Sequence, residues 1–177
     1  LLQNKNMNIY IIRHTAVAVE GFCYGQTDVP LKETFEKEAE IVKSKLKDVH
    51  FDAIFSSPLS RAKKLAEYCG YEIIQLKDRL KELNFGDWEM KEWEKIDMTE
   101  WEKDWINIPA PNGESFKQMQ ERVSTFIDEL KNTNYSSVAV FAHGGVINCF
   151  RVYFGEATLE GAFDNLAQYG EVLLFEL

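Results

Sequence analysis

The apolar residues of this chain fall into short continuous runs separated by longer mixed stretches. Four runs are rich in β-branched and aromatic residues: IYII at 9–12, FDAIF at 51–55, VAVF at 138–141 and VLLF at 172–175. Continuous apolar runs of this length are typical of strands that are buried on both faces of a sheet. The pattern therefore predicts four buried strands, with EIIQL at 72–76 as the candidate for a fifth.

Between these runs, apolar residues recur at the spacing of amphipathic helices. One stripe predicts a helix over about 32–47, and a second predicts a helix over about 115–131 that begins with a capping box formed by Ser115 and Gln118. The first stripe is Phe35, Ala39, Val42 and Leu46; the second is Phe116, Met119, Val123, Phe126, Ile127 and Leu130. Strands that alternate with helices predict an α/β fold, a three-layer α/β/α sandwich around a mostly parallel sheet.

Length and composition limit the alternatives. A chain of 177 residues that is 45% hydrophobic can bury one substantial core, so we expect a single domain over residues 1–177. The formal net charge of -9 disfavours binding to nucleic acid or to anionic membranes. No apolar stretch reaches the roughly 18 residues that a membrane span needs. An anionic ligand would therefore have to be captured by a local cluster of positive side chains.

The cysteines and the first residues bear on the compartment. Cys23, Cys69 and Cys149 are odd in number and include no CxxC pair, so they indicate neither a disulfide framework nor a zinc ribbon. Because no ligand pair has a metal-binding spacing, we predict no metal and no cofactor. The opening LLQNKNMNIYII lacks the features of a secretory signal. We therefore expect a cytoplasmic protein whose natural start is Met7, with residues 1–6 as an added remnant.

Two of the predicted strands are followed at once by cation-capable side chains. Arg13 and His14 come directly after the first strand, and His143 comes after the strand at 138–141. Gly144 and Gly145 then predict a tight turn into a helix whose first N–H groups point back at the strand end. In a parallel sheet the carboxyl ends of the strands meet at one edge, where ligands bind. These side chains are therefore expected to converge.

A third strand contributes to the same edge. The segment SSPLSRAKK follows the strand at 51–55 and predicts a helix with Ser57 as its N-cap and Pro58 at its first position. Arg61 would then lie in the first turn of this helix and face the strand ends.

This combination of side chains suits phosphoryl transfer. Guanidinium groups bind phosphoryl oxygens through paired hydrogen bonds, and they also favour the neutral form of a nearby histidine, which can then attack phosphorus in line. A second histidine can donate a proton to an equatorial oxygen, and a carboxylic acid must protonate the leaving alkoxide. Glu82, in RLKELNFGDWE, is the candidate acid, with Glu72 and Glu89 as nearby alternatives.

Five motifs in order resemble the histidine phosphatase superfamily, the phosphoglycerate mutase-like enzymes. They are RHT at 13–15, SSPLSRA at 56–62, LKELNFGDWE at 80–89, PNGES at 111–115 and AHGG at 142–145. The resemblance implies that His14 is a nucleophile that forms a phosphohistidine and that Glu82 donates the proton. It also implies that Arg13, Arg61 and His143 bind phosphate, with His143 assisting catalysis, and that no metal takes part.

Within that superfamily, RHT followed by GFCYGQTDVPL at 21–31 is most similar to the α-ribazole phosphatases. That similarity implies removal of the 5′-phosphate from α-ribazole 5′-phosphate during assembly of the cobalamin nucleotide loop. Residues expected near the substrate are Thr15, Tyr24, Gly25, Gln26 and Gly144. Two departures fall where substrate preference could be set: Met90 replaces a frequent glycine, and Asn148 replaces a frequent arginine.

Other functions remain open from sequence alone. A phosphatase of broad specificity for sugar phosphates or phosphoserine would share most of this pattern, and so would a phosphoglycerate mutase. Only about sixty residues separate Glu82 from His143, which favours access of water and hence hydrolysis over mutase activity. A non-catalytic module that binds phosphorylated ligands is a further alternative, although binding alone would not require Glu82. In each case the partner is a small phosphorylated metabolite, and the chain could be a monomer or a homodimer.

All four tryptophans lie in one acidic segment, DWEMKEWEKIDMTEWEKDW at 87–105. One interpretation is that one or two amphipathic helices cover the end of the sheet, with Trp101 and Trp105 one turn apart on the packed face. The other is that residues 87–112 form a cap whose rings stack on a planar base of the substrate.

Overall fold

The computed structural model of the protein describes residues 6–177. The interpretation of residues 1–6 as an added remnant therefore falls almost wholly outside the described residues. The strands are β1 (Asn8–Arg13), β2 (Ala53–Ser56), β3 (Gln75–Leu76), β4 (Ser137–Ala142) and β5 (Val172–Glu176), and they form one sheet in the order β3-β2-β4-β1-β5. All neighbours are parallel except β5, which runs antiparallel to β1. The predicted mostly parallel sheet is confirmed.

Helices cover both faces of this sheet. They are α1 (Phe35–Leu46), α2 (Ser60–Tyr68), α3 (Thr99–Lys103), α4 (Phe116–Lys131) and α5 (Gly144–Tyr153). Ile9 and Ile11 of β1 point into the core beneath α4 and α5, whereas Ile12 points into the core beneath α1 and α2. Because successive side chains of a strand face opposite sides, a strand that is covered twice must be apolar throughout. The three-layer α/β/α prediction is thus confirmed.

The capping box predicted at the start of α4 is present. The Ser115 hydroxyl accepts the Gln118 N–H at 3.2 Å, and the Gln118 side-chain oxygen accepts the Ser115 N–H at 2.8 Å. Both partners lie within one helical turn, so the local sequence was sufficient to find them.

Two strand boundaries differ from the prediction. β2 begins at Ala53 rather than at Phe51, because the Phe51 ring packs edge-on against Tyr10 and the Asp52 carboxylate accepts the N–H groups of Ser136 and Ser137. Only two residues of the candidate strand 72–76 pair, as β3. The Ile73 side chain is 85% exposed, so this apolar run lies at an open edge and not in the core.

The predicted N-cap of α2 is wrong. The helix begins at Ser60 with Leu59, whose backbone is extended, at the N-cap position, and Pro58 precedes it in a bend. Asp28, from a distant loop, accepts the Ser60 N–H at 3.0 Å and so supplies the cap. Arg61 nevertheless lies in the first turn, as predicted. The Ser57 hydroxyl accepts the Leu59 N–H at 3.3 Å and also takes part in the site described below.

The tryptophan-rich segment does not form the predicted amphipathic helices. It contains two short 3-10 turns, at Gly86–Trp88 and Trp93–Lys95, and the five-residue helix α3. The rings of Trp101 and Trp105 are neighbours, with centroids 6.4 Å apart, but Trp105 lies beyond the end of α3. Frequent charged residues and turn-forming contacts shorten each helical stretch below a stable length.

Met90 lies in this segment with a φ of 63°. This is the left-handed region of backbone conformation. Glycine adopts it without steric cost, whereas a residue with a Cβ is strained there. A glycine at position 90 would therefore adopt this backbone with less strain than Met90 does. None of the helices in residues 6–177 combines the length and the apolar character needed to cross a bilayer.

Candidate active site

The two histidines of the sequence motifs meet at the carboxyl edge of the sheet. β1 and β4 are adjacent and parallel with Arg13 opposite Ala142, so the residues that follow each strand lie side by side. The His14 N–H continues the ladder by donating to the Ala142 carbonyl at 3.1 Å. The imidazole centroids of His14 and His143 are 5.2 Å apart. Strand register alone therefore produces the pairing.

The tautomer of His14 follows from its hydrogen bond. Its Nδ1 lies 2.7 Å from the Thr15 carbonyl oxygen, and a carbonyl can only accept. Nδ1 therefore carries the proton, and the neutral ring keeps a lone pair on Nε2. Burial, together with the nearby Arg61 and Arg13 guanidinium groups, lowers the pKa of His14 to about 3 despite the opposing Thr15 hydrogen bond. Nε2 of His14 is thus an unprotonated imidazole nitrogen at neutral pH.

His143 is fully buried beside His14, and its Nε2 lies 2.8 Å from the Ser57 hydroxyl oxygen. Its pKa lies well below the usual value, first because of burial and then because of the Arg61 charge. Nδ1 of this ring is buried without a hydrogen-bond partner. Ser57, which the sequence suggested only as a helix cap, is therefore the residue that orients His143.

Arg61 is held by backbone carbonyls more than by carboxylates. Its Nη1 donates to the Thr27 carbonyl at 2.8 Å and its Nη2 donates to the Gly25 carbonyl, while its buried Nε has no partner. Arg13 is similar, since its Nη1 donates to the Ala167 carbonyl and its Nε is buried and unpaired. Each guanidinium is fixed at one side and has an unpaired N–H on the other.

The Glu82 carboxylate is anchored at the start of α5. Its Oε2 accepts the Gly145 N–H at 3.0 Å, and its Oε1 accepts the Leu83 N–H at 3.2 Å. A Cβ on Gly145 would lie 2.2 Å from Oε1, and one on Gly144 would lie 2.7 Å from Leu166 Cδ1. Neither glycine is in the left-handed region. Gly145 thus lets the Glu82 carboxylate approach the helix closely, whereas the Leu166 side chain near Gly144 is exposed and can move aside. This corrects the expectation that the two glycines serve a tight turn.

The loop that carries Glu82 is tied to α4. Arg122 donates to three carbonyl oxygens of this loop, those of Arg79, Lys81 and Glu82. Arg122 also pairs with Glu114 at 2.6 Å, and Glu114 accepts the Asn84 N–H at 3.0 Å. Glu114 belongs to the PNGES motif, so this motif is explained by the positioning of the Glu82 loop.

The loop that holds Arg61 is fixed by a second carboxylate. Glu89 accepts the N–H of Gly25 at 2.9 Å and that of Gln26 at 2.6 Å, and the Gln26 amide donates to the Glu82 carbonyl at 3.1 Å. Gly25 cannot carry a side chain, because its Cβ would lie 1.8 Å from the Leu83 carbonyl oxygen. Gly25 and Gln26 therefore connect the Arg61 loop to the Glu82 loop.

These groups surround a pocket of about 260 Å³. Of the predicted residues, Arg13, His14, Arg61, Glu82, Tyr24 and Gly144 line it. Thr15, Gly25, Gln26 and His143 adjoin the lining residues through the contacts given above. Asn148 is fully buried and does not line the pocket.

The sequence analysis did not identify several residues at this site. The Tyr169 ring centroid lies 4.2 Å from Arg13 Cζ and 5.7 Å from the centroid of His14. Phe163, Leu166 and Phe22 line the pocket mouth. No local pattern distinguishes these residues from ordinary apolar positions, because they reach the site only through long-range folding.

The unpaired buried atoms indicate what the site binds. Four such atoms of the described chain belong to site residues: Arg13 Nε, Arg61 Nε, Thr15 Oγ1 and His143 Nδ1. Buried donors normally have partners, so a cluster of unpaired donors beside two guanidinium groups is suited to an anion with several oxygen acceptors. Across residues 6–177, no three His, Cys, Asp or Glu side chains come together as a possible metal site.

Comparison with known proteins agrees with this geometry. The family model of the histidine phosphatase superfamily (branch 1) matches residues 9–176, and the chain belongs to this superfamily. The fold and the site thus define an enzyme of the histidine phosphatase class.

Several named phosphatases are similar to this chain. The chain is similar to the adenosylcobalamin/alpha-ribazole phosphatase of Escherichia coli K12, with 29% identity over 154 residues, 80% of this chain and 76% of the relative. A Hydrogenobacter thermophilus protein provisionally named phosphoserine phosphatase 2 is 27% identical over 152 residues, 79% of this chain and 74% of that protein. The crystal structure of the alpha-ribazole phosphatase from Shigella flexneri superposes with a TM-score of 0.86 at 26% identity, covering 95% of this chain and 89% of that chain.

The lowered pKa of His14 makes the stability of the fold dependent on pH. Folded His14 stays neutral down to about pH 3, whereas the unfolded residue protonates below about 6.5. The contribution of His14 to the free energy of unfolding is therefore fully present above pH 6.5 and is lost progressively as the pH falls toward 3. Between pH 7.5 and 5.0, we expect the unfolding free energy of the wild type to fall by about 2 kcal/mol more than that of His14→Asn.

Urea denaturation of both proteins at the two pH values measures this difference. The other titrating groups, including the carboxylates and His143, are present in both proteins, so their contributions cancel in the comparison. His50→Asn is the matched control, because it makes the same substitution at a histidine that is 90% exposed and lies outside the site. An equal pH dependence in wild type and His14→Asn would contradict a neutral, desolvated His14.

Proposed function

We propose that this protein is a metal-independent phosphomonoester hydrolase that works through a phosphohistidine at His14. The observation that carries the proposal is the lone pair on His14 Nε2, fixed by the Nδ1–Thr15 hydrogen bond, next to a cluster of unpaired donors. An uncharged nucleophile beside positive charge is what attack on a phosphate dianion requires.

The reaction has two steps, formation of the phosphohistidine and its hydrolysis. His14 Nε2 attacks phosphorus as the ester P–O bond breaks, and protonated Glu82 delivers its proton to the leaving oxygen. Arg13 and Arg61 stabilise the equatorial oxygens, and His143 donates a hydrogen bond to one of them. Water then attacks phosphorus, Glu82 takes up a proton, and the P–N bond breaks. Inorganic phosphate leaves, and His14 is again neutral.

For the substrate, we propose α-ribazole 5′-phosphate, with dephosphorylation in cobalamin nucleotide-loop assembly as its role. The support comes from the GFCYGQTDVPL loop, which supplies Tyr24 to the pocket, and from the names of the similar phosphatases. The runner-up is a phosphatase of broader specificity that includes phosphoserine, which the Hydrogenobacter relative favours.

A substrate panel tests this proposal. Turnover of α-ribazole 5′-phosphate, phosphoserine, 3-phosphoglycerate and ribose 5-phosphate is measured in EDTA, together with formation of 2-phosphoglycerate as a sign of mutase activity. We expect α-ribazole 5′-phosphate to have the highest kcat/KM, by at least about tenfold, because each 1.4 kcal/mol of added transition-state binding gives that factor. A higher kcat/KM for phosphoserine would reject the substrate assignment, and loss of all activity in EDTA would reject metal independence.

The alternative of a non-catalytic phosphate-binding module is disfavoured by Glu82. Glu82 places a carboxyl group among the phosphate-binding residues of the pocket, and binding alone has no use for a proton donor there. Its value lies in proton transfer to a leaving group.

A further inference from the structure

A second cavity adjoins the phosphate pocket. It has a volume of about 490 Å³, and aromatic rings form most of its wall: Phe85, Trp93, Trp101, Trp105, Phe116 and Phe163. We call it the aromatic cleft. Four residues, Leu83, Phe85, Trp93 and Phe163, line both the phosphate pocket and the cleft. The cleft is therefore a continuation of the site and not a separate surface groove.

Two of the shared rings are exposed although their surroundings hold them in place. Trp93 is 38% exposed and Phe163 is 46% exposed. Trp93 packs edge-on against Phe85 with centroids 5.8 Å apart, and Phe163 packs against Phe116 at 5.0 Å and Trp105 at 5.4 Å. Exposed rings that are clustered and supported from behind are typical of ligand-binding surfaces rather than of a solvated exterior.

The charges of the two cavities are opposite. The phosphate pocket contains the guanidinium groups of Arg13 and Arg61. In the described chain, the charged side chains that line the cleft are both carboxylates, Glu160 and Asp164. A leaving group with its own carboxylate would find no basic partner there and would be repelled. A neutral or positively charged ring would bury apolar area against the tryptophans without that penalty.

We propose that the aromatic cleft is the subsite for the leaving group of the substrate, that it accepts a flat aromatic group without negative charge, and that Trp93 and Phe163 determine this specificity. The inference rests on the proposed hydrolysis at His14 and extends it from the phosphate to the rest of the substrate. It does not require the ring to be the base of α-ribazole.

The test uses three primary alkyl phosphates with the same leaving-group chemistry: 2-(2-naphthyl)ethyl phosphate, its ring-carboxylated analogue, and butyl phosphate. For the wild type, we expect kcat/KM to be at least about tenfold higher for the naphthyl ester than for butyl phosphate, because a flat ring gains both burial and ring contacts. We expect the ring carboxylate to remove most of that preference.

Trp93→Ala and Phe163→Ala are each expected to reduce the naphthyl-over-butyl preference, taken as the ratio of the two kcat/KM values, by about fivefold to tenfold, because each ring contributes to binding of the naphthyl group. Both side chains are partly exposed, so folding should persist. Ile73→Ala is the matched control, because Ile73 is an exposed apolar residue at the far sheet edge. An equal loss for both substrates, or no naphthyl preference in the wild type, would overturn the proposal.

Calorimetric binding separates this proposal from the hydrolytic one. 2-(2-Naphthyl)ethyl phosphonate, which cannot be hydrolysed, is titrated into wild type and both variants. If the variants bind the naphthyl phosphonate about fivefold or more weakly than the wild type, the subsite is supported, even if the phosphohistidine mechanism at His14 is rejected. Equal binding of naphthyl and butyl phosphonates to the wild type would reject it. If a second copy of the chain covered the cleft instead, the phosphonate affinity would fall with protein concentration, which would also reject it.

Discussion

Replacement of His14 by alanine is expected to lower kcat for phosphomonoester hydrolysis by at least about 10⁴-fold, because loss of a covalent nucleophile removes the whole two-step pathway. The neutral Nε2 of His14 is unprotonated, fixed in direction and close to the Arg13 and Arg61 guanidinium groups. Turnover of p-nitrophenyl phosphate in EDTA measures the loss. Rapid quenching of the wild type should in addition trap phosphate bound to protein, and His14→Ala should trap none.

The control for this experiment is His50→Ala. His50 is exposed and distant from the motifs, so its removal should leave kcat within about twofold of wild type, as most surface substitutions do. Phosphate binding by His14→Ala, measured by calorimetry, shows that Arg13 and Arg61 remain in place. Turnover by His14→Ala within tenfold of wild type would be incompatible with a phosphohistidine at this residue.

Replacement of Glu82 by glutamine is expected to produce a loss that depends on the leaving group. Proton donation in the transition state contributes roughly 10²- to 10⁴-fold, so kcat for an alkyl phosphate such as ribose 5-phosphate should fall by that factor. p-Nitrophenolate leaves without a proton, and its release should fall by less than about tenfold. Steady-state kinetics with the two substrates measure the ratio.

Two further variants separate proton donation from positioning. Gly145→Ala keeps the carboxyl group but places a Cβ 2.2 Å from the present position of Oε1, so it must displace the acid and should show the same leaving-group dependence. Glu89→Gln weakens the support of the Gly25–Gln26 loop and should raise KM for both substrates equally. A uniform loss in Glu82→Gln, or a leaving-group dependence that appears in Glu89→Gln instead, would remove Glu82 from the role of acid.

Several features of this fold could be predicted because their cause is local. β1 and β4 are covered on both faces, which forces a continuous apolar run, and the Ser115–Gln118 capping box closes within one turn. The meeting of His14 and His143 could also be predicted, since parallel neighbouring strands bring their carboxyl ends together. Glu82 could be named from its motif and from the need for an acid.

The features that could not be predicted have distant causes. The N-terminal cap of α2 is supplied by Asp28, which is thirty-two residues away from Ser60. The Ser57 hydroxyl accepts the Leu59 N–H just before the helix and also contacts His143, which is eighty-six residues away in the chain. The helices expected at 87–105 fail because tertiary contacts, such as the hydrogen bond from Met90 N–H to the Cys23 carbonyl, stabilise turns there.

The amino-acid pattern alone determined the α/β class, the superfamily resemblance and which side chains could carry phosphoryl transfer, because strand burial and short motifs are properties of neighbouring residues. Only the tertiary structure decided that backbone carbonyls hold Arg13 and Arg61, and that tryptophans and Phe163 enclose a cleft beside the phosphate pocket. These properties depend on distances between residues far apart in the chain, such as Arg13 and Ala167. Such distances exist only once the core has packed.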